Sequence, residues 1–282
     1  MTGFVRKIIL SVVSVLFMGS LAIAADSIVI KGSTTVLPIT QSALEAYTKI
    51  NKGVQISLSG GGSGEGIKAL LDKSTDIANS SREIKKEEIT LAESKGIKPV
   101  AHVVAYDALI PVVHPKNKVK GLSADQLSQI YQGKITNWKE VGGDDLKIIV
   151  ISRDSSSGTF ESWDHFVMKK TKVTPKAQML ASNGALYTAI SKNKYAIGYL
   201  GMGYVKKGVK GLEVDGVAAT LESALSKQYP FARELYMYTN GEPTGETAKF
   251  IAFLKSPEGQ KIVAKEGFVP LVVPVKEKSG KK

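Results

Sequence analysis

From residue 27 to 96 the chain runs through one pattern three times: a short apolar stretch, a loop of small polar residues, then a segment with apolar residues at helical spacing. The run Ser27-Ile28-Val29-Ile30 predicts a strand and Lys31-Gly32-Ser33-Thr34-Thr35 a loop. TQSALEAYTKI, with Leu44, Tyr47 and Ile50 on one face, predicts a helix. The pattern returns as a strand over 54–58, the loop SGGGSGEG and the helix IKALLDKS. Its third occurrence is a strand over 76–78, the loop Asn79-Ser80-Ser81-Arg82 and the helix EIKKEEITLAESKG. Repeated strand, loop and helix units point to an α/β fold with parallel strands.

Near residue 103 the pattern changes. VVAYDALIPVVHP reads as a long extended apolar segment, and so does YPFARELYMYTN over 229–240. Between them lie a compact helical unit, LSADQLSQIYQGKITNW, a strand over 146–151, the stretch SRDSSSGTFESWDHFVMKK and a further alternation over 184–205. The end of the pattern, TAKFIAFLKSPEGQKIVAKEG, is one helical run. Two long extended segments are natural crossings between two lobes. The expected division is 25–105 with 229–282 as one discontinuous lobe and 106–228 as the other. Loops at the carboxyl ends of strands would face each other across a cleft that can close.

Residues 1–24 predict a secretory signal peptide. Arg6 and Lys7 form a basic start, 8–17 is apolar but too short to span a bilayer comfortably, and Ala22-Ile23-Ala24 offers a small-residue cleavage site after Ala24 or Ala25. The chain has no cysteine, which removes disulfides, thiolate zinc sites, thiol catalysis and lipoprotein attachment together. A free, soluble chain in a bacterial periplasm is the expectation. The net charge of +12 suits an anionic partner, and an aromatic content of only 7% argues against a stacking surface for nucleic acid.

The candidate chemistry sits in the polar loops. Lysine supplies most of the positive charge; the arginines are Arg6, Arg82, Arg153 and Arg233. Arg153 lies in SRDSSSGTFESW, just ahead of a helix-like run. Glycine lets backbone approach an anion, hydroxyls donate, unpaired N–H groups at a helix start attract negative charge, and a guanidinium grips an oxyanion through two bonds. For any one loop, helix capping or a tight turn explains the composition equally well. Four such loops in one exported chain, two of them with arginine, favour an oxyanion site. Arg82 reads as either a ligand contact or a rim salt bridge. SGGGSGEG lacks the GK[ST] of a P-loop and does not fit GxGxxG, and SSSGT is not a GxSxG elbow. His102, His114 and His165 have no metal-ligand spacing. No metal, no cofactor and no enzymatic activity are expected, and a phosphatase has no visible nucleophile or metal cluster here.

GSTTVLP, GGGSGEG, TDIANSSR, LSADQLSQIYQGKITNW and SRDSSSGTF, in this order, resemble the periplasmic phosphate-binding proteins of high-affinity phosphate ABC importers. The likeness covers nearly all of the chain after the signal peptide. QIYQGKITNW and the RxxxSGT element are its most specific parts. The resemblance implies the two-lobed periplasmic binding-protein fold (type II), with the ligand cleft between lobes and two crossover segments. It implies a monomer that binds dehydrated inorganic phosphate, needs no cofactor and no nucleic acid, and hands phosphate to permease subunits in the inner membrane. Carried over residue by residue, it places Ser33, Thr34 and Thr35, then Ser63 and Ser81, then Arg153, Ser157, Gly158 and Thr159 on the ligand. Two positions depart from the family's pattern. Ser81 stands where members carry an aspartate that accepts the phosphate proton, and Ser155 where they carry an aspartate after the arginine. Asp154 is then the carboxylate expected to orient Arg153, and some competition by sulfate is expected. Another tetrahedral oxyanion (sulfate, molybdate, tungstate or arsenate), a sensing role, or a periplasmic phosphatase are the alternatives.

Overall fold

The computed structural model describes residues 27–271. The signal peptide expected over 1–24, with its cleavage site, and the chain end 272–282 lie outside the described residues. β1 (Ser27–Gly32) buries Ile28 and Ile30 and feeds α1 (Leu37–Ile50), whose Pro38 stands in the first turn, where a missing N–H costs nothing. β2 (Gln55–Gly60) leads to α2 (Ser63–Leu71), and β3 (Ile77–Ser80) to α3 (Lys86–Ser94). β1 pairs in parallel with β2 on one side and β3 on the other. α2 begins inside the glycine run, earlier than the apolar spacing places it. Gly66 lets it cross β1 closely: a Cβ there would lie 2.7 Å from both Gly32 Cα and Lys31 O.

β4 (Pro99–Val113) is the long apolar segment. After β5 (Gly121–Leu122) comes α4 (Ala124–Gln132), opened by a capping box in which Ser123 and Gln126 satisfy each other's backbone N–H. A 3-10 turn over Trp138–Val141 precedes β6 (Ile149–Arg153), and α5 (Gly158–Trp163) widens into a π-type turn over Asp164–Met168. Then follow β7 (Gln178–Leu180), α6 (Asn183–Lys192), β8 (Ala196–Gly201), β9 (Lys210–Gly211), β10 (Glu213–Val214), α7 (Leu221–Leu225) and β11 (Ala232–Asn240). The chain continues into α8 (Gly245–Lys255) and α9 (Pro257–Lys265). These two were expected as one run. Pro257 has no N–H to continue α8, and Ser256 caps α9 by accepting from Gly259 N.

The strand order is β2-β1-β3-β11-β4-β8-β6-β7, with β9 also against β4. β4 pairs with β11 over 99–108 and with β8 over 109–113, so one strand serves both ends of the sheet. The expected parallel arrangement holds within β1–β3 and among β6, β7 and β8, but β4 and β11 run antiparallel to their neighbours. The two largest apolar cores among the described residues are separate. One gathers Ile28, Ile30, Val104, Leu235, Met237 and Phe250; the other gathers Leu109, Ile151, Trp163, Tyr199 and Phe231. In the second, the Trp163 and Tyr199 rings stack with centroids 4.4 Å apart, worth about 0.5–1.5 kcal/mol beyond their burial. The molecule is therefore two-lobed, joined by β4 and β11, with strand-end loops of both lobes meeting between them.

Candidate functional site

The loops after β1, β2, β3 and β6 converge. Thr35 Oγ1, beyond β1, lies 2.8 Å from Thr159 Oγ1 at the start of α5. Ser63, the first residue of α2, accepts a bond from Ser81 N at 3.0 Å and lies 3.4 Å from Ser81 Oγ. A Cβ on Gly158 would stand 2.2 Å from Ser63 Oγ, so only glycine lets α5 and α2 approach this closely. Further bonds join the lobes: Gly64 N donates to Ser156 O at 3.0 Å and Ser156 Oγ to Gly61 O at 2.9 Å. Ser33, Thr34, Thr35, Ser63, Ser81, Arg153, Ser157, Gly158 and Thr159 are all buried at this junction.

The hydroxyls are arranged to donate. Ser33 Oγ accepts from Thr35 N, Ser63 Oγ from Ser81 N, and Ser157 Oγ from Phe160 N. Thr34 Oγ1 accepts from Asn183 Nδ2 and Thr159 Oγ1 from Arg233 Nη2. A hydroxyl whose oxygen already accepts keeps its proton for another acceptor. Thr35 and Thr159 share one proton between them, which leaves the other free.

Arg153 is fully buried. Its Nε donates to Leu180 O and its Nη2 to Ala181 O, both at 2.9 Å, because β7 runs beside β6 with Leu180 opposite Arg153. Its Nη1 has no protein partner. Burial pulls the guanidinium pKa down, with Asp154 acting weakly the other way. Asp154 was expected to orient Arg153; instead its Oδ1 takes the backbone N and Oγ of Ser156, at 2.9 and 2.6 Å. Two backbone carbonyls do the orienting and contribute no full negative charge. A buried cation with no carboxylate bonded to it costs several kcal/mol, of order that for any ion taken from water, unless an anion meets it.

Arg82 takes the salt-bridge arrangement. Its Nη1 and Nη2 grip Glu88 at 2.8 and 2.7 Å, Nη1 also reaches Glu83 O, and Nε lies 2.5 Å from Glu161 Oε2. The Nε contact is an ion pair whose angle makes no directed hydrogen bond. Glu161 belongs to α5, so this pair spans the two lobes. Burial lowers the Arg82 pKa, but the bonds to Glu88 and the charge of Glu161 outweigh it and leave it raised.

Three further side chains meet at the junction. Arg233 donates Nε and Nη2 to Asp107 Oδ2 at 2.9 and 2.8 Å, and reaches Ser162 Oγ and Thr159 Oγ1. Burial pushes the Asp107 carboxyl up, against the pull of Arg233 and of the amides of Met202 and Ala108. The signal was present: Asp107 in one apolar crossing segment and Arg233 in the other, at partnered positions of β4 and β11. Asn183 donates Nδ2 to both Thr34 Oγ1 and Thr35 Oγ1 at 3.0 Å, from the start of α6. Ser182-Asn183-Gly184 is a fifth small polar loop at a strand-to-helix junction, just ahead of the alternation read over 184–205. Among the described residues, no group of three acidic, histidine or cysteine side chains could hold a metal ion, and no helix is long and apolar enough to cross a membrane.

A family model described as a PBP superfamily domain matches residues 21–258. The chain is 38% identical over 252 residues to the phosphate-binding protein PstS of Borreliella burgdorferi, covering 85% of this chain and 88% of that one. It is 33% identical to the phosphate-binding protein PstS of Bacillus subtilis, covering 88% of this chain and 82% of the relative. Among solved structures it resembles an ABC-type phosphate transport receptor from Vibrio cholerae, with a TM-score of 0.70 and 33% identity over 86% of this chain and 99% of that one. A Clostridium perfringens structure holding bound phosphate, and assigned as a phosphate ABC transporter substrate-binding protein, matches with a TM-score of 0.81 and 37% identity over 88% of this chain and all of that one.

Proposed function

We infer the function from one premise: this chain belongs to the PstS family of phosphate-binding proteins, within the PBP superfamily. It is a solute-binding protein that captures inorganic phosphate for an ABC importer. Phosphate lies between the lobes, held by Ser33, Thr34, Thr35, Ser63 and Ser81 from one side and by Arg153, Ser157, Gly158 and Thr159 from the other. The observation that carries this placement is Arg153: a buried guanidinium bonded to no carboxylate, with one nitrogen lacking a protein partner, beside hydroxyls turned to donate. A compact oxyanion meets all of these needs at once. Arg82 stays outside the ligand shell, since its nitrogens face Glu88, Glu83 and Glu161.

The relatives are binding proteins, and this chain works by binding and release rather than by catalysis. The lobes divide as 25–105 with 229–282, and 106–228; on β4 the apolar cores part between Ala105 and Ala108, in keeping with this division, while on the second crossing Tyr229 and Phe231 still pack into the core of 106–228. Residues 1–24 export the chain to the periplasm. Without cysteine it stays unlipidated, and it works there as a monomer that delivers phosphate to the permease subunits.

Calorimetric titration with phosphate, sulfate, arsenate, molybdate and tungstate tests the reading. Phosphate is expected to bind tightly and sulfate to compete only in large excess. Tighter binding of sulfate, molybdate or tungstate, or no binding of phosphate, overturns it.

A further inference from the structure

We propose that Asn183 accepts the proton of the bound phosphate, its carboxamide oxygen serving where no carboxylate faces the ligand. The proposal rests on the phosphate reading and goes one step inside it. Near neutral pH phosphate always carries at least one proton, so it presents a donor as well as bare oxygens. A site made only of donors leaves that proton unmet.

The junction is rich in donors and poor in free acceptors. The hydroxyls of Ser33, Thr34, Ser63 and Ser157 already accept a protein N–H, and each keeps a proton it can donate, so none of them is an acceptor alone. The nearby carboxylates are engaged. Asp107 Oδ2 takes two bonds from Arg233 and its Oδ1 takes Met202 N. Asp154 Oδ1 takes both bonds from Ser156, which ties this carboxylate to its own loop, and Glu65 is exposed rather than buried with the cluster. Ser81 offers a hydroxyl that can donate as readily as accept, and its oxygen contacts Ser63 Oγ at 3.4 Å.

Among the described residues, two buried side-chain oxygens have no partner at all, Asn79 Oδ1 and Asn183 Oδ1. Asn79 turns its amide nitrogen to Thr40 on α1, away from the threonine pair. Asn183 turns its nitrogen to Thr34 and Thr35, two of the hydroxyls assigned to the ligand, so its oxygen, on the same carbon, belongs to the same cluster. Asn183 has no exposed surface. Arg153 Nη2 bonds the carbonyl of Ala181, two residues before Asn183; Arg153 Nη1 is an unmet donor and Asn183 Oδ1 an unmet acceptor, and the two do not bond each other. A protonated tetrahedral oxyanion supplies an oxygen to the first and a proton to the second. An amide oxygen cannot donate, so it opposes a ligand oxygen that carries no proton. Unlike a carboxylate it adds no charge, which leaves discrimination against sulfate moderate.

Monofluorophosphate isolates the effect, because fluorine replaces the proton-bearing hydroxyl in a dianion of nearly the same shape. Wild type should bind phosphate about ten- to a hundredfold more tightly than monofluorophosphate. Asn183→Ala should weaken phosphate by a similar factor and leave monofluorophosphate nearly unchanged, so that the ratio collapses toward one. Ser81→Ala, which removes a hydroxyl assigned to the ligand, should weaken both ligands alike and so keep the wild-type ratio. Binding of phosphate by wild type secures the reading itself, and the ratio then judges Asn183 alone. Equal losses for both ligands in Asn183→Ala would make the residue a positioner of the two threonines and overturn the proposal. A ratio that collapses in Ser81→Ala instead, or a wild type that does not tell the two ligands apart, overturns it as well, whether or not the Asn183 variant folds.

Discussion

Arg82 and Arg153 occupy matching places. Each closes a strand-to-loop turn next to serine, Ser81 after β3 and Ser152 at the end of β6, and each is buried, with 8% and 0% of its surface exposed. Their surroundings are opposite. The first turn of α3 brings Glu88 to Arg82, and α5 brings Glu161 across from the other lobe. β7 brings Arg153 only carbonyls. The net result is a pKa pushed up at Arg82 and held down at Arg153. A compensated guanidinium ties structure together, whereas an uncompensated one waits for an anion. Residue type and loop composition are the same in both; the element packed alongside decides between them.

Removing the uncompensated arginine should have the largest effect. Arg153→Ala deletes charge-assisted bonds worth about 1.5–3 kcal/mol each, and the loss of two should weaken phosphate binding by at least about a hundredfold. Arg153→Lys should recover only part, since an ammonium cannot reproduce the planar fork that two carbonyls hold in place. Calorimetry reads both variants, and an Arg153→Ala protein with unchanged affinity would break the contrast at its root.

The sequence carried the loops better than it carried their partners. Strand, small polar loop and helix were legible because strand and helix periodicities differ and because glycine, serine and threonine gather where backbone must turn or donate. The loops that carry Ser33, Thr34, Thr35, Ser63 and Ser157–Thr159 followed from that, and the resemblance to phosphate-binding proteins singled out these residues within them. The long crossings were legible as apolar runs, but their antiparallel pairing was not, since β4 and β11 meet only through register across more than a hundred residues. The same distance hid the pairing of Arg233 with Asp107, which look like isolated charges until the strands align them. Asp154 misled because it lies just past the end of β6, in a turn where its carboxylate is taken up by Ser156 two residues on. Asn183 was missed because its meaning depends on Thr34 and Thr35, on the far side of the cleft.

An intermediate effect belongs to Glu161, which makes Arg82 a tie between lobes. Its Oε2 lies 2.5 Å from Arg82 Nε and 3.0 Å from Lys85 Nζ. The contact exists only where the lobes meet, so Glu161→Gln should destabilise the closed form alone. About 1 kcal/mol for such a partly buried pair corresponds to roughly fivefold weaker phosphate binding. Small-angle scattering should show less compaction at a phosphate concentration that compacts wild type fully. Equal affinity and equal compaction would reduce Arg82 to a fixture of its own lobe.

The smallest effect on phosphate, and the one that separates the two partners of Arg82, belongs to Glu88. Arg82 and Glu88 lie six residues apart in one lobe, so their pairing does not depend on closure, and Glu88→Gln should leave phosphate affinity within about twofold, the scatter of a surface change. Its signature is in stability against pH. Burial alone would push the Glu88 carboxyl up, but the bonds from Arg82 and the backbone N–H of Lys85 outweigh it and hold the carboxyl below its usual range. A carboxyl lowered by folding contributes stability that is fully present above its unfolded value, about 4.3, and is lost as pH falls through the folded value. Wild type should therefore unfold at higher urea than Glu88→Gln at neutral pH, by an amount equivalent to about 1–3 kcal/mol for hydrogen bonds to a charged group. The gap should narrow only below about pH 4. A gap that is the same at pH 7 and pH 3 would mean that the ionised carboxylate contributes nothing, and Arg82 would then owe its place to Glu161 and to packing.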